Sequence, residues 1–446
     1  MASTAEKLAS NLDWRSLGKA SDLKARLLFT LGALIIYRLG THIPLPGIDP
    51  VMLAEIFKHH QGGILSMFDM FAGGALSRMT IFALAVMPYI TASIIVQLLT
   101  AVVPSMEALK KEGEQGRMRL NQYSRYLTVF FAVMQSFALA VGLESMSGPG
   151  GSAVIDPGLF FRLTTVVTLT GGTVFLMWLG EQITSRGIGN GTSMIIYAGI
   201  AAGMPAAIGQ MFEMGRTGAL ATWMIFAILI GLVVVLAFSV YCERAQRRII
   251  VQYPKRQVGN KMYGGEASHL PLKINTSGVI PPIFASSLLL FPLTVASFID
   301  VSKTPWLADV VAMLGHGQPI FMALYAFMII FFCFFYTAVV FNPEETAENL
   351  RKNSGFVPGI RPGKNTADYF DTILTRLTVL GAGYLTVICL LPEFLMSKHA
   401  IPFYLGGTSL LIVVSVTIDT ITRIQAHMMA YQYEGLFKKS MQRGKR

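Results

Sequence analysis

Residues 319–341, PIFMALYAFMIIFFCFFYTAVVF, run for 23 positions without one charged side chain. A helix of that length rises about 1.5 Å per residue and covers the roughly 30 Å hydrocarbon thickness of a bilayer. Nine further apolar runs of similar size follow the same rule. Together the spacing predicts ten spans, at 27–46, 79–102, 126–145, 159–180, 192–212, 219–241, 275–299, 319–341, 375–392 and 403–425, each bounded by charges or by Gly/Pro clusters. Composition agrees. The 446-residue chain is 53% hydrophobic and 14% charged, with mean hydropathy +0.55. Soluble domains carry about 25% charged residues. A disordered chain, a disulfide scaffold and a water-soluble enzyme of ordinary type are excluded.

The net charge of +11 comes from 36 Lys+Arg against 25 Asp+Glu. Its distribution is lopsided. Segments 1–26, 103–125, 181–191, 242–274, 342–374 with Arg376, and 426–446 hold 28 basic residues. The opposite segments hold five, Lys58, Arg78, Arg216, Lys303 and Lys398. Basic loops stay cytoplasmic, so both termini are placed on that side. The first 24 residues have no apolar core ending at a small-residue cleavage site, which predicts no cleavable signal peptide. Cys242, Cys333 and Cys389 lie in or beside apolar runs without CxxC spacing, so neither a disulfide framework nor a thiolate metal site is expected.

Motifs for chemistry are absent. GIRPGK (359–364) has three residues between its glycines and Asn365 where a phosphate loop needs Ser or Thr. GIGNG (187–191) lacks the third spaced glycine of a dinucleotide loop and lies between two spans. The seven histidines are scattered, no paired carboxylates occur at catalytic spacing, and no cofactor is expected. Ionisable residues within or at the ends of spans are few, among them Arg38, Arg162, Asp419 and Arg423. Ion-coupled transport normally buries such groups at mid-membrane. A secondary transporter and an intramembrane enzyme are the rival readings, and each lacks its chemistry.

Three features exceed plain spans and loops. Residues 62–75, GGILSMFDMFAGGA, are apolar but too short to cross, and glycines bracket them. Such a segment is re-entrant or lies at the surface. The cytoplasmic loops containing ERAQRRIIVQYPKRQVGNK (243–261) and PEETAENLRKNSGFVPGIRPGK (343–364) are longer than ordinary connections. Their mixture of basic, aromatic and apolar residues suits docking surfaces, or contact with anionic headgroups. Prolines 88, 205, 281, 282 and 292 fall inside spans, which membrane helices tolerate when neighbours re-satisfy the backbone.

The ordered motifs identify a family. RLLFTLGALIIYRLGTHIPLPGID (26–49), MFAGGALSRMTIFALAVMPYITASIIVQLLT (70–100), WLGEQITSRGIGNGTS (178–193), ERAQRRIIVQYPKRQ (243–257), LPLKINTSGVIPPIFASS (270–287), FNPEETAENLRKNSGFVPGIRPGKNT (341–366) and PFYLGGTSLLIVV (402–414) resemble those of the SecY family of protein-conducting channels across nearly the whole chain. The resemblance implies an all-α polytopic membrane protein. Ten transmembrane helices would form two inverted five-helix halves around an hourglass pore, with a re-entrant plug half-helix. Its segments would be 1–26 (cytoplasmic), 27–212 (first half), 213–218 (external hinge), 219–425 (second half) and 426–446 (basic tail).

By the same resemblance the pore ring would be Val86, Ile90, Thr192, Ile196, Ile283 and Ile412, with Thr192 departing from the usual isoleucine. Ile64, Leu65, Met67, Phe68, Met70 and Phe71 would form the plug. Gln97, Gln135, Ser286 and Ser287 would lie at a lateral gate. Arg361, with Arg247, Arg248, Lys255 and Arg256, would dock the SecA ATPase or the ribosome. An aliphatic collar dewets when empty and offers a passing peptide few binding sites. Further implied partners are SecE and SecG, signal-sequence-bearing preproteins, SecD/SecF and YidC, and membrane lipid. The implied role is passage of secretory chains across the bacterial plasma membrane, with lateral release of transmembrane segments. Energy would come from a partner, because the chain has no nucleotide site. A thylakoid location would call for a transit peptide, which the sequence does not suggest.

Overall fold

The computed structural model describes residues 21–53, 69, 71–145, 147–148, 151–218, 221–254, 256–258, 261–263, 267–297, 318–398 and 407–443. These are mostly helical. The helices are α1 (Ser21–Gly40), α2 (Met87–Val102), α3 (Pro104–Lys111), α4 (Glu114–Ser145), α5 (Leu159–Arg186), α6 (Gly191–Arg216), α7 (Thr222–Arg244), α8 (Ile280–Ser297), α9 (Pro319–Val340), α10 (Pro343–Lys352), α11 (Lys364–Lys398) and α12 (Gly407–Arg443). Six short strands are β1 (Ser147–Gly148), β2 (Gly151–Ser152), β3 (Gln246–Gln252), β4 (Arg256–Val258), β5 (Lys261–Tyr263) and β6 (Ala267–Lys273). They pair as β1–β2, β3–β6 and β4–β5. Among the described residues seven helices are long and apolar enough to cross a membrane, or eight if α2 and α3, bent by 98°, form one broken span. The protein is a multi-pass membrane protein.

The chain divides into two compact units. The first comprises residues 1–210, 293–308 and 412–446, and the second 211–292 and 309–411.

In the first unit, α4 and α5 form an antiparallel pair tied near both ends. Arg125 meets Glu181 through two hydrogen bonds of 2.9 and 2.8 Å. Arg162 meets Glu144 at 2.6 Å, and the Gly158 amide donates to the same carboxylate. Arg162 is therefore a helix-end ion pair, and Arg423 bonds Asp419 one turn away on α12. Gly191 and Gly180 let α5 and α6 touch: a Cβ on Gly191 would fall 1.9 Å from the Gly180 carbonyl oxygen.

The apolar run 79–102 is helical only from Met87. Residues 79–86 instead form consecutive turns, with positive φ at Met79 (44°) and Ala85 (49°). Hydropathy counts apolar side chains and is blind to this break. Irregular backbone is tolerated at membrane depth when protein surrounds it, and Phe82, Ala83, Leu84, Ala85 and Val86 are all buried. Local amide bonds, such as Ala83 to Thr80 O and Ala85 to Phe82 O, satisfy the turns. Phe82 stacks between Tyr37 and Phe175, over Gly40, where a Cβ would fall 2.0 Å from its ring. Pro88 lacks an N–H and fits the first turn of α2.

In the second unit, α7 buries only Ile225, Ser239 and Glu243 and presents Trp223, Phe226, Ile230, Val233 and Val234 outward. Such a face in a spanning helix meets lipid or another membrane chain. Phe284 of α8 makes an edge contact with Phe332 of α9, and Tyr325 of α9 is hydrogen-bonded to Thr408 at 2.8 Å.

Candidate functional site

The two long basic loops, predicted as separate docking segments, fold as one body within the second unit. β3 leaves α7 directly and pairs antiparallel with β6 over seven rungs, from Gln246↔Lys273 to Gln252↔Ala267. Its side chains alternate, with Ile249 and Val251 buried and Arg247, Arg248 and Ile250 exposed. Gln252 then exchanges both backbone hydrogen bonds with Phe356, at 2.9 and 3.0 Å, which joins the first loop to the second.

The second loop is itself structured. Asn342 caps α10 by accepting from the Glu344 and Glu345 amides, with Pro343 in the first turn. Ser354 takes a left-handed φ of 57° just beyond the helix end, and the Gly355 amide returns to Leu350 O. α11 starts at Lys364, well before the apolar run at 375. Ala367, Phe370, Leu374 and Leu377 recur at helical spacing and bury one face against Ile249, Leu272, Ala347 and Val357. This shared core is what the sequence reading missed. Part of its signal was present, in the helical spacing of Ala367, Phe370, Leu374 and Leu377, but short and below the hydropathy of a span, whereas IIV (249–251) is apolar throughout and shows no alternation.

Arg361 stands exposed in a loop flanked by Gly359 (φ 83°) and Gly363 (φ 109°), and its carbonyl accepts from the Thr366 hydroxyl at 3.0 Å. Arg256 opens the small β4–β5 hairpin, and Lys255 lies outside the described residues.

The predicted ring residues divide between the units. In the first, Val86 (the residue preceding α2), Ile90, Ile196 and Ile412 are buried. The helices carrying Ile196 and Ile412 touch where the Thr420 hydroxyl meets the Met194 sulfur at 3.5 Å. Thr192 is half-buried, and a Cβ on Gly180 of α5 would lie 3.4 Å from its hydroxyl. Ile283 is buried in the second unit.

Of the predicted plug, Ile64, Leu65, Met67, Phe68 and Met70 lie outside the described residues, and Phe71 is buried. The described end of the 62–75 segment is held in place. Ala72 O accepts from the Tyr37 hydroxyl, Gly73 O accepts from Arg38, and the Asp69 carboxylate accepts the Ser77 amide at 2.7 Å. Gly73 has φ 66°, and a Cβ there would lie 2.7 Å from Gly199 Cα.

The predicted gate residues are polar groups in apolar settings. The side-chain oxygens of Gln97, Gln135 and Ser287 are buried without a hydrogen-bond partner among the described residues, whereas Ser286 donates to Ile283 O at 3.0 Å. Gln97 and Gln135 belong to the first unit, and Ser286 and Ser287 to the second.

A family model described as SecY matches residues 80–421. The chain is 58% identical over 419 residues to the protein translocase subunit SecY of Rickettsia conorii, covering 94% of this chain and 96% of that one. It is 54% identical over 435 residues to that of Escherichia coli K12, covering 97% and 98%. A solved protein-conducting channel is similar at TM-score 0.64 and 16% identity, covering 90% of this chain and 92% of that one. Sec61 from the canine ribosome–channel complex gives TM-score 0.63 at 16% identity, with the same coverage. Those two likenesses concern the fold alone. The sequence identities extend over nearly the full length, and with the helical architecture they make this chain a member of the SecY family, the channel subunits of protein translocases.

Proposed function

We propose that secretory polypeptides cross the bacterial plasma membrane through an aliphatic collar of Val86, Ile90, Ile196, Ile283 and Ile412, with Thr192 one turn before Ile196. As a translocase channel subunit the chain is not an enzyme. The observation that carries the route is the burial of the five aliphatic side chains among the six positions the motifs single out, the sixth being the half-buried Thr192. Residues 62–75 close the outer funnel, and the hydrogen bonds from Tyr37 to Ala72 O and from Arg38 to Gly73 O fasten their C-terminal end. The unpartnered oxygens of Gln97, Gln135 and Ser287 suit a seam that opens, because opening there breaks few hydrogen bonds. Membrane segments leave by that seam.

The platform built from β3, β6, α10 and the start of α11 receives the SecA ATPase or the ribosome, with Arg361 as the chief contact. SecE and SecG accompany the channel, and SecD/SecF and YidC act beside it. The 28-to-5 division of basic residues supports cytoplasmic termini and an even number of spans, and the family membership supports ten of them in two inverted halves, hinged at 213–218. The test is a photo-crosslinkable residue at Ile90 and, separately, at Ile412, with a secretory chain stalled in transit. Adducts at both, absent without a signal sequence, are expected. Active export with no adduct at either position would overturn the collar.

A further inference from the structure

The turn between the docking platform and α8 is a buried polar knot. Strand β6 ends at Lys273, and the Ile274 amide extends the ladder by one bond to Ala245 O, at 3.1 Å. Asn275 follows. Its amide nitrogen donates to Glu243 Oε1 at 2.6 Å and to Gly278 O at 3.0 Å. The Ser277 hydroxyl donates to Asn275 Oδ1 at 3.1 Å and also lies 3.8 Å from the Cys333 sulfur of α9. Glu243, Asn275, Ser277 and Cys333 are all buried. Gly278 turns with φ 64°, and α8 begins two residues later with Pro281 and Pro282 in its first turn. A third helix closes the site: a Cβ on Gly381 of α11 would lie 3.0 Å from the Ile274 carbonyl oxygen.

From this geometry we infer that Glu243 and Asn275 are positioning residues that latch the start of α8 to the end of α7, so that the docking platform and the gate helix move together. The inference rests on the proposed role of α8 as one wall of the lateral gate. The physical basis is local. One side-chain amide satisfies both the buried carboxylate on α7 and the carbonyl that turns the chain into α8. Breaking either bond inside this apolar surround leaves a buried polar atom unpaired. The turn therefore favours one closed arrangement held by α7, α9 and α11. A pull on the β3–β6 hairpin reaches that arrangement through the Ile274–Ala245 bond without crossing any flexible linker.

The buried Cys333 thiol, beside Ser277, supplies a readout independent of export. The experiment uses the complete translocase in lipid vesicles. It follows maleimide labelling of Cys333, resolved by mass spectrometry, together with export of two clients, one with an intact signal sequence and one whose signal core carries an added charge. Asn275→Asp sets two carboxylates against each other. It is expected to raise resting Cys333 labelling at least tenfold and to narrow the export ratio between the clients at least tenfold. Combining it with Glu243→Gln lets the new amide donate to the new carboxylate, and both readouts are expected to return most of the way to the parent. Gly381→Ala, which presses on the turn from α11, should raise labelling in the same direction. Labelling and client ratio unchanged in Asn275→Asp would overturn the latch. So would an equal loss of export for both clients that the double variant does not restore, because that pattern is a folding defect only. Failure of the channel reading would show elsewhere, as missing adducts at Ile90 and Ile412 in the unmodified chain.

Discussion

Phe370 is fully buried where the two basic loops and α11 meet. Phe370→Ala removes a ring packed among Ile249, Leu272, Val357, Ile373 and Leu374 and leaves a cavity that a strand, a helix and a loop cannot all collapse to fill. Substitutions of this kind cost about 3–5 kcal/mol. The platform is held to the rest of its unit through the same core, so most of that loss should fall on its local opening rather than on the spans. At 1.4 kcal/mol per tenfold, opening becomes about 150-fold to 4,000-fold more frequent. Amide hydrogen exchange of the translocase in lipid vesicles reads this directly. Val251 and Leu272, in the β3–β6 ladder, should exchange faster by that factor, while amides of Leu169 and Leu176 in α5 stay slow. Phe370→Leu, which keeps most of the volume, should have an effect at least tenfold smaller. Unchanged exchange at Val251 and Leu272 in a folded Phe370→Ala protein would refute the claim that the loops share one core.

Arg361→Glu should leave membrane insertion of the chain intact while lowering motor-driven or ribosome-coupled export severalfold, and normal export would remove Arg361 from the docking contact. Asn342→Ala deletes the cap of α10 and should cost about 1 kcal/mol, read as faster exchange of the Glu344 and Glu345 amides. Gly191→Ala places a methyl 1.9 Å from the Gly180 carbonyl oxygen and should force α5 and α6 apart, with a clear drop in Tm in detergent. Arg162→Ala should lower Tm more than Arg125→Ala, because Glu144 is more enclosed than Glu181 and is left holding its charge against the Gly158 amide alone; the reverse order would sink that ranking.

The seven or eight spans found among the described residues were legible because hydropathy is a property of whole segments, insensitive to local backbone. What escaped was decided by pairing at a distance. Residues 79–86 are as apolar as any helix, and only their burial among Tyr37, Gly172 and Phe175 explains why turns replace the first two helical turns there. The β3–β6 ladder joins residues on opposite sides of the β4–β5 hairpin, and Pro271 interrupts the β6 pattern. Of the candidate sites, the collar positions came from motifs alone. The Glu243–Asn275 contact could not have been read, because the two residues are 32 apart in sequence and neither falls in an apolar pattern.

The α4–α5 pair also sets an order of events when the chain is first made. Glu144 is synthesised 18 residues before Arg162, and Arg125 56 residues before Glu181. Until α5 has emerged, α4 carries a guanidinium near one end and a carboxylate at the other, each without its counter-ion. The two helices gain most by entering the bilayer as a neutralised hairpin. A pause in synthesis placed between them should strand α4 at the membrane surface, whereas a pause after Glu181 should not.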